Sequence, residues 1–255
     1  MTEDSATLLK RIVDNTSPKF STSIAVSDNK TDFTTRFNPP IELDRNRSYE
    51  MALVNLETYY SFPNIDSTIN HFKYSPDSGT TWYDFRLPVG CYILKEINDT
   101  IQQKMKINQH DEKGVIVSAN SITLKSILKL ADGYQVDFSH DDSIGKVLGF
   151  NSRKYINAYN ESEKLVDILN VNSILINADI ISGSYLNGSQ KPIIYSFFPN
   201  VDPGHKIVEK PNHPLYLPVH PKTIATLKTV LTDQNGKKLD LRGERVTIRY
   251  HLREL

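Results

Sequence analysis

The chain has little sulfur chemistry to offer: Cys91 is the only cysteine in 255 residues. No intramolecular disulfide can form, which suits a reducing compartment or a fold that needs no staple. Net charge is missing as well, since 30 Lys and Arg balance 30 Asp and Glu. That removes the usual electrostatic argument for nucleic-acid binding and leaves at most a local basic face. It also favours self-association over repulsion between copies. No apolar run reaches the ~20 residues of a membrane span. Met1-Thr-Glu-Asp-Ser5 lacks the basic and apolar regions of a signal peptide. The expectation is a protein made inside the cell, neither secreted nor inserted into a membrane. The Asn-x-Ser/Thr triplets at Asn15, Asn29, Asn46, Asn98, Asn160 and Asn187 then read as loop chemistry rather than glycan sites. Catalytic signatures are absent too. Ser182-Gly183-Ser184 lacks the Gly-x-Ser-x-Gly elbow, and no Gly-x-x-x-x-Gly-Lys phosphate loop occurs.

What is present is β pattern. Val246, Ile248, Tyr250 and Leu252 share one face of Arg245–Leu252, a strict period of two that defines a half-buried strand. Before it, Thr223–Thr232 alternates with a slip of one in the middle, and Asp233-Gln-Asn-Gly236 carries the left-handed turn chemistry of a tight reversal. The two segments read as a closing β-hairpin. Tyr49–Tyr59 has apolar groups on both sides and predicts an interior strand. Shorter strands are expected around 21–26, 32–37, 70–74, 81–87, 114–117, 121–125, 133–138, 171–179, 193–198, 206–209 and 215–217, with 151–165 as polar loop. One long helix is expected: Ile93, Ile97, Ile101 and Met105 recur every four residues with Leu94 beside them. Ser143–Phe150 reads as a helical turn or two, capped by Asp141, Asp142 or Ser143. Many short strands with regular Gly and Pro punctuation are the pattern of a sandwich or barrel. The fold class is therefore mainly β, an antiparallel β-sandwich with one amphipathic helix in the middle region. Residues 1–20 read as an N-terminal arm with a Leu8, Leu9, Ile12, Val13 stripe, and 21–255 as a single domain, with 88–150 as a candidate helix-containing insertion.

Few groups could carry chemistry. His205, His213 and His220 lack the paired His-x-His or His-x-Glu that a cupin-type metal site needs, and two of them precede proline, so loop positions are the better reading. Cys91 has no paired base nearby in sequence. Asp240 and Glu244 flank a glycine and read as turn hydrogen bonding. No catalytic residue, metal or cofactor is expected. Two contact features remain. Arg242, Arg245, Arg249 and Arg253 fall close together, with Arg245 and Arg249 opposite the apolar face, as a solvated strand face or as a contact with a neighbouring subunit or nucleic acid. Tyr59, Tyr60, Phe62, Tyr155, Tyr159 and Tyr185 adjoin turns, where aromatics serve either as interface anchors or as caps on a sandwich end. The candidate subunit-interface residues are Arg245, Arg249, Tyr59, Tyr60, Phe62 and Tyr185.

Two stretches carry a family resemblance. One is Phe37-Asn-Pro-Pro-Ile-Glu-Leu-Asp44 with Tyr49–Val54 and Pro63-Asn-Ile65. The other runs from Leu148-Gly-Phe150 through Asn172–Leu175, Ile180–Tyr185, Tyr195–Phe197 and Pro203-Gly204 to Leu239–Glu244 and Val246–Arg249. Together they resemble the penton, or minor capsid, protein of Maverick/Polinton elements and related adenovirus-like and virophage lineages. The resemblance implies a single jelly roll, a non-enzymatic capsid subunit in the virion, and pentamers at the fivefold vertices beside a double-jelly-roll major capsid protein. The alternative is a receptor- or glycan-binding jelly-roll module, and a third class is an enzyme on a cupin-like scaffold.

Overall fold

The computed structural model describes residues 19–168 and 171–255, so the 1–20 arm lies almost wholly outside the described residues. Strands β1 (Ser21–Asp28), β2 (Asp32–Glu42) and β3 (Tyr49–Tyr59) come first. Then follow β4 (His71–Ser75), β5 (Tyr83–Arg86), helix α1 (Leu94–Ile107), β6 (Val115–Asn120), β7 (Lys125–Leu130), β8 (Gln135–Asp137), β9 (Lys154–Tyr155) and β10 (Tyr159–Leu165). The chain continues through β11 (Ile174–Ala178), β12 (Tyr185–Leu186), β13 (Ser189–Gln190), β14 (Ile193–Phe197), β15 (Lys206–Glu209), β16 (Leu217–Pro218), β17 (Thr223–Thr232) and β18 (Val246–Glu254). It divides into two compact units. The first holds the described residues up to Tyr59 together with Ser173–Asn200 and Lys206–Leu255; the second holds Tyr60–Asn172 and Val201–His205. The 88–150 segment falls inside the second unit, whose bounds are wider on both sides.

The first unit is a two-sheet sandwich. One sheet has the order β1-β18-β3-β15, with β16 also pairing β3, and the other the order β14-β11-β17-β2. All pairings are antiparallel, and they nest. First strand meets last (β1 with β18), the next meets the last but one (β2 with β17), then β3 meets β15 and β16, and β11 meets β14. Successive nested pairs alternate between the two sheets, which is the winding of a jelly roll.

Local sequence explains the strands. In β18, Val246, Ile248, Tyr250 and Leu252 are each 0% exposed, so the period of two is the inward face of a central strand. Burial on this scale stabilises by about 1.5–3 kcal/mol per side chain. In β3 the two-sided apolar pattern has a specific cause. Its register against β18 shifts between Arg249 and Tyr250. Met51 and Leu53 are buried before the shift and Leu56 and Thr58 after it, while Val54 is left exposed. A β-bulge thus changes which parity points inward. The slip in β17 has a different origin: the register against β2 breaks between Ile224 and Thr226, where four residues of β2 (37–40) stand opposite Ala225, and both Ala225 and Thr226 are exposed. Pro39 and Pro40, which cannot donate to a ladder, sit in that irregular stretch of β2, an edge strand.

The expected closing hairpin does not form. β17 pairs with β2 and β11, and β18 pairs with β1 and β3, so consecutive strands lie in opposite sheets. Asp233 and Gly236 do make a turn, in which the Asp233 carboxylate accepts from the amides of Asn235 and Lys237. The chain then leaves the sheet through Leu239 and Leu241, both buried. The crossing is anchored where Thr31 Oγ1 donates to the Leu239 carbonyl at 2.7 Å.

The second unit has a four-stranded sheet, β5-β4-β8-β9, a three-stranded sheet, β10-β7-β6, and α1. Ile97, Ile101 and Met105 are 0–1% exposed and pack into one core with Phe72, Tyr74, Phe85 and Leu128. Ile93 is exposed and serves as the residue before the first turn; its amide donates to Glu96 Oε2 at 3.0 Å. Asn98 Oδ1 accepts from the amide of Val117 and ties the helix to β6. Two sequence expectations fail in this unit. Residues 121–124 form a turn, and the strand expected there begins at Lys125. The polar stretch 151–165 contains β9 and β10 rather than loop alone; β10 is a sheet-edge strand with Ser162 as its only buried residue. The turn at Ile144–Lys146 forms as expected, capped by Ser143 Oγ, which accepts from the amide of Gly145.

Candidate contact surfaces

The outward face of the β1-β18-β3-β15 sheet is mostly polar and internally paired. Arg253 donates to Glu50 Oε1 at 2.6 Å and lies 3.5 Å over the ring of Tyr216. His251 is held between Ser21 Oγ and Tyr216 Oη, each at 2.7 Å. Thr247 donates to Ser27 at 3.2 Å. Lys206 donates to Glu57 at 2.6 Å and, with Lys210 and Arg249 nearby, holds that carboxyl below the usual carboxylate range. Arg249 is exposed between Ala25 and Asn55, and Arg245 is exposed just before β18. Three apolar side chains stand among these charges: Val54, Tyr59 and Val208 are 38%, 43% and 48% exposed. Tyr59 opposes Lys206, and Val208 opposes Glu57. This mixture of apolar and ionic groups on one sheet face resembles the centre and rim of a protein contact.

The six expected interface residues therefore separate. Arg245, Arg249 and Tyr59 are exposed on the side of the first sheet. Tyr185 is 68% exposed in the β12–β13 hairpin. Tyr60 and Phe62 are 5% and 3% exposed, and their rings stack at 4.2 Å in the second unit. Burial pushes the Tyr60 phenol up. These two rings are core groups, not surface anchors. Of the other turn aromatics, Tyr155 is buried with its hydroxyl on Glu163 at 2.8 Å, and Tyr159 is exposed on β10.

A second surface lies on the other sheet, where no local sequence pattern predicts one. The outward face of β14-β11-β17 forms an open groove of about 400 Å³. Leu175, Val230, Ile193, Pro192 and Leu186 supply its apolar floor, and Lys191, Lys228 and Lys238 stand at its rim. Asp32 takes both Lys228 (3.4 Å) and Lys238 as ion-pair partners, which holds its carboxyl below the usual range. Lys191 makes no ion pair among the described residues. The groove draws on β11, the β12–β13 hairpin, β14 and β17, so no single stretch of sequence announces it.

Groups that could carry chemistry have structural partners or stand in solvent. His205, His213 and His220 are exposed, and no group of three or more His, Cys, Asp or Glu among the described residues could hold a metal ion. The Cys91 thiol donates to the carbonyls of Phe62 (3.2 Å) and Ser61 (3.3 Å). Asp240 accepts from the amide of Arg242 and closes a turn. Among the described residues no helix is long and apolar enough to cross a membrane.

The strand winding places the chain among antiparallel jelly-roll proteins. No protein-family model matches it, and no curated protein does. Among solved structures it is similar to the penton protein of mavirus, with 10% identity and a TM-score of 0.48 over 93% of this chain and 100% of the other.

Proposed function

We propose that this chain is a structural capsid subunit of the penton, or minor capsid, type, acting by packing and contact rather than by catalysis. The observation that carries the reading is the nested β1–β18, β2–β17, β3–β15 winding, taken with the sequence motifs that resemble penton proteins, whose stretches Tyr49–Val54, Tyr195–Phe197 and Val246–Arg249 fall on β3, β14 and β18. In this reading copies pack side by side around a fivefold axis, through contacts in which one face of a subunit meets a different face of the next and the ring closes. Arg245, Arg249 and Tyr59 on one side and Tyr185 on the other are its contact residues, and a double-jelly-roll major capsid protein is its neighbour in the virion.

The test is solution mass by sedimentation, for the chain alone and mixed with a double-jelly-roll major capsid protein. A ring of copies, or a stable complex, is expected. Charge reversal, Arg249→Glu with Arg245→Glu, should weaken that association while leaving the thermal midpoint nearly unchanged, as surface substitutions generally do. A strict monomer in both conditions overturns the reading.

A further inference from the structure

We propose that the lysine-rimmed groove on the outer face of β14-β11-β17 receives residues 1–18 of a second copy of this chain. The inference concerns how two copies engage and stands independently of any shell they build.

The groove has the chemistry of a peptide site. Its floor is aliphatic, and its lining charges are three lysines against one aspartate, Asp179, a net of +2. Asp179 is already engaged, accepting from the amide of Lys228. Lys191 faces the groove without an ion-pair partner among the described residues. A matching ligand carries carboxylates close to large aliphatic side chains. The segment ahead of β1 has that order: Glu3 and Asp4 lead, and Leu8, Leu9, Ile12 and Val13 follow, with Lys10 and Arg11 between the two aliphatic pairs and Asp14 after them, so the acidic end is the part that meets the lysines.

The position of Lys19 favours a second copy over the chain's own groove. It adjoins Ser21, which pairs with Arg253 near the far end of β18 in the first sheet. The groove residues Val230 and Thr232 sit at the other end of the sandwich, where β2 begins opposite Val230, and in the second sheet. To reach its own groove the segment must run the length of the sandwich and turn its edge. Eighteen extended residues span up to about 60 Å, ample to reach a neighbouring molecule without such a detour.

The experiment is sedimentation velocity of the full chain across the micromolar range, with and without a synthetic peptide of residues 1–18. Concentration-dependent association that the peptide competes away is expected. Lys191→Glu alone, and Glu3→Lys with Asp4→Lys alone, should each weaken association roughly three- to five-fold, as reversal of an exposed ion pair does. Combining them should restore it. If Lys191→Glu misfolds, the arm variant and the peptide competition still decide. Three results overturn the proposal: a chain that stays monomeric, association that the peptide leaves unchanged, or peptide binding to a chain that remains a monomer, which would place the segment in its own groove.

Discussion

The Tyr250 phenolic oxygen and the Thr229 hydroxyl lie 3.2 Å apart, one from each sheet of the sandwich. Strands that follow each other in sequence thus meet face to face through a buried hydrogen bond rather than edge to edge. The ring of Tyr250 is 0% exposed, and burial pushes its ionisation well above the ordinary value.

That burial predicts an alkaline weakness. An unfolded tyrosine ionises near pH ~10, whereas Tyr250 in the folded chain keeps its proton. Its contribution is intact below about pH 10 and falls as pH rises further, by up to about 1.4 kcal/mol per pH unit. Tyr250→Phe should cost about 1 kcal/mol at neutral pH and show a shallower alkaline loss. Urea unfolding of both proteins at pH 7 and above pH ~10 reads both effects; parallel alkaline curves would contradict the assignment.

Thr58 is 2% exposed, and its hydroxyl has no hydrogen-bond partner among the described residues. An unpaired buried hydroxyl carries a desolvation cost that an isosteric methyl does not. Thr58→Val should therefore stabilise the chain by about 1 kcal/mol, seen as a higher melting temperature.

Asp77 accepts from the amide of Thr81 and the hydroxyl of Ser75, and these bonds hold its pKa at about 2. The lowered value means the turn's stabilisation is present above the unfolded carboxylate pKa of about 3.9 and is lost as pH falls through about 2. Asp77→Ala should lower the melting temperature at neutral pH, and the gap from the parent should close in strong acid. A carboxyl carbon resonance titrating at the ordinary value would count against it.

Gly149 has φ +82°, and a Cβ there would stand 2.3 Å from the Lys164 carbonyl oxygen. Both the left-handed backbone and the backbone contact resist any side chain. Gly149→Ala should destabilise on the order of 3 kcal/mol, measured by urea unfolding, while Gly188→Ala, with nothing within 4 Å but φ +78°, isolates the backbone part alone.

Much of the fold was legible because strands facing a core write their parity into the sequence. Tyr49–Tyr59 and Lys206–Glu209 match their predicted bounds, and β18 shows its inward face residue by residue. What parity cannot report is the partner. A turn between two apolar strands reads alike whether the strands pair or part, so the β17–β18 connection reads as a hairpin. The distinguishing signal was Leu239 and Leu241, apolar residues in a connection where a tight turn has no use for them. β10 stayed hidden because an edge strand needs little apolar surface. Tyr59 and Tyr60 are neighbours in sequence, yet one is exposed and the other buried; no local pattern separates them. No local pattern marks the groove, because its floor is assembled from strands distant in sequence.

The pairing of β1 with β18 brings together residues 230 positions apart, Ser21 and His251. On the ribosome, β1 waits for β18 to emerge before it has a neighbour, because β18 lies between it and β3. Loop closure over such a distance is slow to nucleate. Until Val246–Glu254 has been made, β1 and β3 expose unpaired backbone, the kind of edge that recruits other chains. A translation product cut short before Val246 would lack the strand between them, and its expected fate is aggregation or degradation rather than a partly working subunit.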